Sequence, residues 1–286
     1  MRQLFSNTEL DTQFKKEGYV KISLLDTDGI ADLKRIVSEI TFSFENNVNR
    51  ERCNYNTTLF EANADKRIEL FNKVVERMRS ELEKVFIDFD VAMVNYWSKV
   101  KNEGPVEMHQ NWSHVDETRY CSMSIWIPLQ ATNRQNGTME VVPRSQGKYD
   151  TIRGINIFNP LVDISQQILE NDILSVDLLP GDAVIFDDSL VHYTGPNKTE
   201  EPREAIQLVV KPKEAQALFY FRWLEKQEDN IEIFDASVPF FSQLQVKSAL
   251  TGRPDFGKSL GFTTYHNNPI SYDDFKQALR TNTVTA

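Results

Sequence analysis

Two histidines carry the first chemical reading of this chain: His109, in Met108-His109-Gln110-Asn111-Trp112, and His192, in Val191-His192. Each closes a short apolar run, where two strand ends can bring two imidazoles to one metal. Imidazole suits iron among other transition metals, and two imidazoles with a carboxylate on one face leave three coordination positions open. In the spacing His-x-Asp that carboxylate falls two residues past the first histidine, and here the position holds Asn111. An amide in place of a carboxylate removes a negative charge and leaves a neutral oxygen, a poorer partner for a hard cation. His114 and Asp116 lie close enough to substitute if their loop folds back; otherwise they are loop residues beside the site. The chain has only four histidines, and taken singly any of them is more often a hydrogen-bonded structural residue than a ligand.

Arg203 lies eleven residues after His192 and opens the strand-like run Glu204 to Val210. Alone it reads as a surface residue at a strand start; beside a metal, its guanidinium fork matches a carboxylate bidentately. Thr194 is two residues past His192, on the same side of an extended chain, and can donate a hydroxyl to that carboxylate. Trp112, Tyr120, Lys99 and Lys101 can line a substrate pocket. They read more simply as a Trp packed beside a strand end and as lysines on solvated loop faces.

The elements that must position these residues change character near Phe89. Before it lie helical patterns: Asn7 to Glu17, stopped by Gly18; a run capped by Thr27 or Asp28 with Ile30, Leu33, Val37, Ile40 and Phe44 on one face; and about Asn63 to Phe86, with Phe71, Val74, Val75, Met78, Leu82 and Val85 together. After it come short strand-like runs separated by turn signals such as Asn136-Gly137 and Pro180-Gly181-Asp182. Many short strands behind two long helices predict a mainly β fold with flanking α, a jelly roll or cupin-like barrel. The stretch from Ser145 to Asn171 should cap its mouth. The expected layout is one domain over 1–286: a helical buttress to about 88, a jelly-roll core over about 89–223, and an extension over about 224–286. Ala217 to Trp223 reads as the last strand of the core, and Tyr272 to Leu279, in the extension, as a helix capped by Ser271.

A net charge of -10 argues against a broad nucleic-acid surface, which needs clustered Lys and Arg. No run is long and apolar enough for a membrane span and no apolar signal core follows Met1, so a cytoplasmic protein is expected. Cys53 and Cys121 are too few for a disulfide framework and should be reduced packing residues.

Taken together, His109-Gln110-Asn111, Ile125-Trp126-Ile127-Pro128-Leu129, the run Asn136 to Ser145, Gly181-Asp182-Ala183-Val184-Ile185-Phe186, His192 and Arg203 resemble the iron(II)- and 2-oxoglutarate-dependent dioxygenases of the phytanoyl-CoA dioxygenase type. The resemblance runs from about Val91 to Lys211 and implies a double-stranded β-helix. By it His109, Asn111 and His192 stand at the Fe(II) site, Thr194 and Arg203 grip the far carboxylate of 2-oxoglutarate, and Trp126 and Gln207 face the cosubstrate, although Trp126 reads equally as a core aromatic. It implies O2 as the second cosubstrate and a small-molecule substrate oxidised at a C–H bond. Two departures stand out: Asn111 at the Asp position, and Gln146 where the family often has His. Asn111 keeps a second class open, an inactive relative serving as a binding or partner subunit, with a homodimer as a further possibility. A cupin metal enzyme without 2-oxoglutarate is a distant third, which the spacing of Arg203 from His192 disfavours. No compact basic cluster is present for the phosphates of a coenzyme A thioester.

Overall fold

A computed structural model describes residues 2–44, 55–149, 151–223 and 230–281. The chain begins with α1 (Thr8–Glu17), whose first free N–H groups are taken by the Asn7 side chain and whose end is turned by Gly18 at φ 81°. β1 (Tyr19–Ser23) leads to α2 (Thr27–Glu39), which is capped by Asp26, one residue before the expected cap. Ile36 rather than Val37 takes the buried face with Ile30 and Leu33. After the short β2 (Asn56–Thr57), α3 (Ala64–Val85) starts on an Asn63 cap and buries Leu70, Val74, Met78 and Leu82 at helical spacing. Cys53 lies outside the described residues, and Cys121 is a buried free thiol.

Strands then follow: β3 (Phe89–Lys99), β4 (Val106–His109), β5 (Met123–Pro128), β6 (Met139–Val141), and, after α4 (Ser165–Asn171), β7 (Leu174–Val176), β8 (Asp182–Asp187), β9 (His192–Thr194) and β10 (Arg203–Pro212). They form two antiparallel sheets, one ordered β1-β8-β5-β10-β3-β2 and the other β4-β9-β6-β7. This is the expected jelly roll.

Alternation along the strands of the larger sheet sorts its residues into two environments. Val94 and Tyr96 on β3, Ile125 and Ile127 on β5, Ile185 on β8, and Ile206, Leu208 and Val210 on β10 join one apolar cluster with Ile30, Leu33, Leu70, Val74 and Met78 of α2 and α3. The residues between them point to the other sheet: Asn95 and Trp97, Trp126, Phe186, Arg203 and Gln207 all line one cavity. The helices therefore hold the outer face of the sheet while its inner face is free for chemistry. A one-residue slip would exchange the two sets.

Beyond β10 the chain adds β11 (Leu218–Arg222), β12 (Asn230–Asp235), α5 (Val238–Gln243), α6 (Val246–Thr251), β13 (Lys258–Thr264) and α7 (Tyr272–Arg280). β11, β12 and β13 form a separate antiparallel sheet. Its Phe219, Phe221 and Phe234 pack with Phe240, Phe241, Met93 and Val209 in a second core. Ser271 caps α7 through the Asp274 N–H, and Phe275 on that helix is fully buried against Tyr149. Among the described residues no helix is long and apolar enough to cross a membrane.

Candidate active site

β4 and β9 are neighbours in the smaller sheet, with His109 directly opposite His192. Their ring centroids are 4.2 Å apart. His109 closes β4 as expected, whereas His192 opens β9 instead of closing a strand. Each ring has its Nδ1 on a backbone carbonyl, Glu107 O at 2.6 Å for His109 and Leu190 O at 2.8 Å for His192. A carbonyl only accepts, so Nδ1 carries the proton in both rings and both Nε2 lone pairs are left for a ligand. Burial pushes both imidazoles down from their ordinary range, and His109 lowers His192 further. Both are thus held neutral, the state that binds metal.

Asn111 stands beside this pair and contacts the His109 ring. Its Nδ2 donates to Ser124 Oγ and to Asp188 Oδ1, each at 2.9 Å. Because a carboxylate cannot donate, the amide nitrogen must be the group facing Asp188. Asp188 is fully buried and also accepts from Ser124 Oγ and Ser122 Oγ, both at 2.6 Å, and from His114 Nδ1 at 3.2 Å. Burial would raise this carboxyl, but the His114 and serine hydrogen bonds hold it below its ordinary value. Asp188 stands behind Asn111 and does not line the cavity. Neither expected substitute joins the pair: His114 is tied to Asp188, and Asp116 accepts from Thr118 in a turn. Among the described residues no group of three His, Cys, Asp or Glu is placed to hold a metal. The candidate donor set would be two imidazole nitrogens and the Asn111 carboxamide oxygen. It fits a divalent transition metal through the two imidazoles, with the third donor weakened.

The other end of the cavity is cationic. Arg203 and Lys99 face each other across β10 and β3, and each is only 1% exposed. Lys99 Nζ donates to Thr194 O, Thr194 Oγ1 and Gly195 O at 2.8 to 3.1 Å. With its oxygen accepting there, the Thr194 hydroxyl is free to donate into the cavity it lines. The Arg203 guanidinium lies 5.4 Å from the Trp126 ring centre, and its Nε has no hydrogen-bond partner. Among the described residues neither cation forms a salt bridge; Glu103 is the carboxylate whose charge reaches both. Burial, and for Lys99 also the charge of Arg203, lowers both groups, Lys99 well below the ordinary lysine range and Arg203 to about 10. Like charges directly opposite on paired strands repel. A buried pair of this kind fits an anion entering from the cavity, and an organic carboxylate meets its fork geometry.

Between the two ends runs a cavity of about 400 Å³. Gln207 crosses its floor, accepting from Trp97 Nε1 at 2.9 Å and donating to Ser124 Oγ at 3.1 Å. The outer wall is aromatic, with Tyr55, Phe60, Trp97, Trp112 and Phe158. From the expected capping stretch, Arg153, Gly154 and residues 157–160 do line the cavity. There Arg153 donates from Nε to Asn111 O at 2.7 Å and pairs with Glu117.

Of the residues expected at the site, His109, Asn111, Trp126, His192, Thr194, Arg203 and Gln207 all line the same cavity. Lys99 is a correction, being buried in the site rather than solvated, while Lys101 is at the surface with Glu200. Tyr120 stands apart from the cavity, stacked under Arg119. Asp188 and Arg153 were missed. Gln146, the second departure, is a structural residue whose Nε2 donates to Lys15 O at the end of α1.

Two facing antiparallel sheets with a histidine pair between them are a double-stranded β-helix, and solved structures of that architecture superpose on the chain. SnoK, a non-heme, alpha ketoglutarate dependent carbocyclase of nogalamycin biosynthesis, is 18% identical with a TM-score of 0.55, covering 74% of this chain and 86% of its own. HygX of Streptomyces hygroscopicus, solved with nickel, 2-oxoglutarate and hygromycin B, is 11% identical with a TM-score of 0.53, covering 77% and 91%. At such identities the likeness is one of fold. A phytanoyl-CoA dioxygenase domain-containing protein 1 homolog of Dictyostelium discoideum is 27% identical over 112 residues, which are 37% of this chain and 40% of that relative. The sequence profile of the phytanoyl-CoA dioxygenase family matches residues 14–205, more than half of the chain. The chain belongs to the phytanoyl-CoA dioxygenase (PhyH) family.

Proposed function

We propose that this protein is an Fe(II)- and 2-oxoglutarate-dependent oxygenase that oxidises a C–H bond of a small, largely apolar or aromatic organic molecule. The observation that carries the reading is the buried Lys99–Arg203 pair, without a salt bridge among the described residues, whose Arg203 lines the cavity that holds the two histidines. His109 and His192 present their Nε2 atoms to the metal, and Asn111 offers its amide oxygen from the third position. Arg203 takes the far carboxylate of 2-oxoglutarate, Thr194 donates its hydroxyl to it, and Lys99 adds charge from behind while holding Thr194 in place. Trp126 keeps the guanidinium plane fixed against its ring. When bound, iron with 2-oxoglutarate and O2 supplies the oxidising chemistry. The chain's own share is placement and exclusion of water, for which the aromatic wall is suited.

The wall also bears on the substrate. Its one nearby cation, Arg153, is engaged by Glu117 and the Asn111 carbonyl. A coenzyme A thioester would therefore find no free phosphate partner in the described part of the mouth, whereas an apolar ring would find stacking surfaces. A second reading, a binding subunit without turnover, draws on Asn111 and on there being, among the described residues, no group of three His, Cys, Asp or Glu placed to hold a metal.

Calorimetry of 2-oxoglutarate with Mn(II) present, followed by its consumption in air with Fe(II), tests both. The oxygenase reading expects binding that Arg203→Met abolishes, and slow consumption by the unaltered protein. Binding without consumption, even with apolar ring compounds added, favours the binding subunit; no binding removes both.

A further inference from the structure

Asn111 leaves the metal site one negative charge short, and a carboxylate stands directly behind it. Asp188 sits after β8, next to the segment that carries His192, and reaches Asn111 Nδ2 at 2.9 Å. It accepts four hydrogen bonds, from Asn111, Ser124, Ser122 and His114, so both oxygens are fully used. It is 0% exposed and absent from the cavity wall, which leaves no room for it to act as a direct ligand. Both N–H bonds of the Asn111 amide are committed, one to Asp188 and one to Ser124. The amide oxygen is left on the side of the His109 ring, which the Asn111 side chain contacts.

From this we infer that Asp188 is a positioning residue for the metal site: through the Asn111 amide it supplies, one layer out, the negative charge that the family's carboxylate would place on the metal. The inference rests on the metal-site reading above. A carboxylate accepting from the amide N–H polarises the amide and makes its oxygen a stronger donor. The contact also fixes which way the amide faces. The consequence is specific to this chain. Asn111→Asp by itself sets two carboxylates 2.9 Å apart where one hydrogen bond now stands, so restoring the usual ligand is not a simple gain. Moving the charge requires both changes, Asn111→Asp with Asp188→Asn.

The test is a double-mutant cycle on the full chain, with Mn(II) added alone and its affinity measured by calorimetry and by the electron paramagnetic resonance signal of the free ion. Melting of each metal-free protein checks that it is folded. Asp188→Asn is expected to weaken Mn(II) binding roughly ten- to a hundred-fold, the usual loss for an outer partner of a metal ligand. The exchanged pair N111D/D188N returns affinity to at least the native level. Asn111→Asp strengthens binding far more in the Asp188→Asn background than in the native one, the non-additivity expected of residues in contact. Equal effects in both backgrounds, or native affinity in Asp188→Asn, would overturn the inference. If Asp188→Asn does not fold, the exchanged pair decides alone, since a large loss of affinity in it contradicts the proposal. If the native protein and all variants fail to bind Mn(II), the oxygenase reading falls as well; if native and Asp188→Asn bind equally, only this inference does.

Discussion

The two ends of the cavity handle buried charge in opposite ways. At the histidine end, the two imidazoles and the Asn111 amide face the cavity, and a buried carboxylate, Asp188, stands one layer behind with four hydrogen-bond donors around it. At the other end two cations, Lys99 and Arg203, face each other on neighbouring strands and Arg203 Nε has no partner. Each end leaves a buried nitrogen without a partner among the described residues, His114 Nε2 at the first and Arg203 Nε at the second. Only at the second, among the described residues, does it belong to a charged group with no carboxylate in contact. A site that keeps unpaired charge in the interior pays in stability for readiness to bind.

The largest expected effect that sharpens this contrast comes from Arg203→Met. Losing one partner of a buried charge pair typically costs several kcal/mol, so 2-oxoglutarate affinity should fall by about a hundred-fold or more. The metal-free protein should keep its melting temperature or gain, because a buried cation without a counter-ion has been removed. A clear drop in stability would mean that Arg203 is satisfied by the chain itself. Next is the outer face of the same sheet: Met78→Ala should cost about 2–5 kcal/mol of stability by leaving a cavity. Calorimetry on that variant should give 2-oxoglutarate affinity near the native value, since Met78 packs only against the helix side of the sheet.

A third effect is on stability against pH. Lys99 is held well below the ordinary lysine value, so between those two values the folded protein binds fewer protons than the unfolded chain. Unfolding free energy of the ligand-free protein should then rise with pH across that window. Saturating 2-oxoglutarate should flatten the rise, as its carboxylate draws the Lys99 amine back toward its ordinary value; denaturant titrations at several pH values check both. Saturation itself should add about 2.7 kcal/mol at a hundred times the Kd. The smallest effect is at Lys101, two residues on and at the surface: Lys101→Ala should change stability and 2-oxoglutarate affinity by less than about 0.5 kcal/mol.

Lys99 and Lys101 also show where sequence reasoning stops. Both stand at the end of the same strand-like run, and nothing in their types separates them. Strand parity does not either, since positions 95, 97, 99 and 101 all fall on one side of an extended chain; the difference is that β3 ends at Lys99, which pairs with Arg203, while Lys101 lies in the turn beyond. His109, His192, Thr194 and Arg203 were legible because their order and spacing repeat a known motif. Asp188 was not, since Asp187-Asp188-Ser189 reads as an ordinary turn and its partners come from residues 111 to 124. Local patterns likewise sufficed for α1, α3 and the strand alternation. They did not reach β12 and β13: β12 pairs with β11, β13 pairs with β12 across more than twenty intervening residues, and β13 carries no strong alternation of its own.

The most direct test of the account is anaerobic titration of the metal-free protein with Fe(II) and 2-oxoglutarate, followed by visible spectroscopy. Chelation of iron by the keto acid at the histidine end, with its far carboxylate on Arg203 and Lys99, should produce a metal-to-ligand charge-transfer band that is lost in Arg203→Met. If the unaltered protein binds both yet gives no band, the two ends do not act on one molecule, and the central claim is wrong.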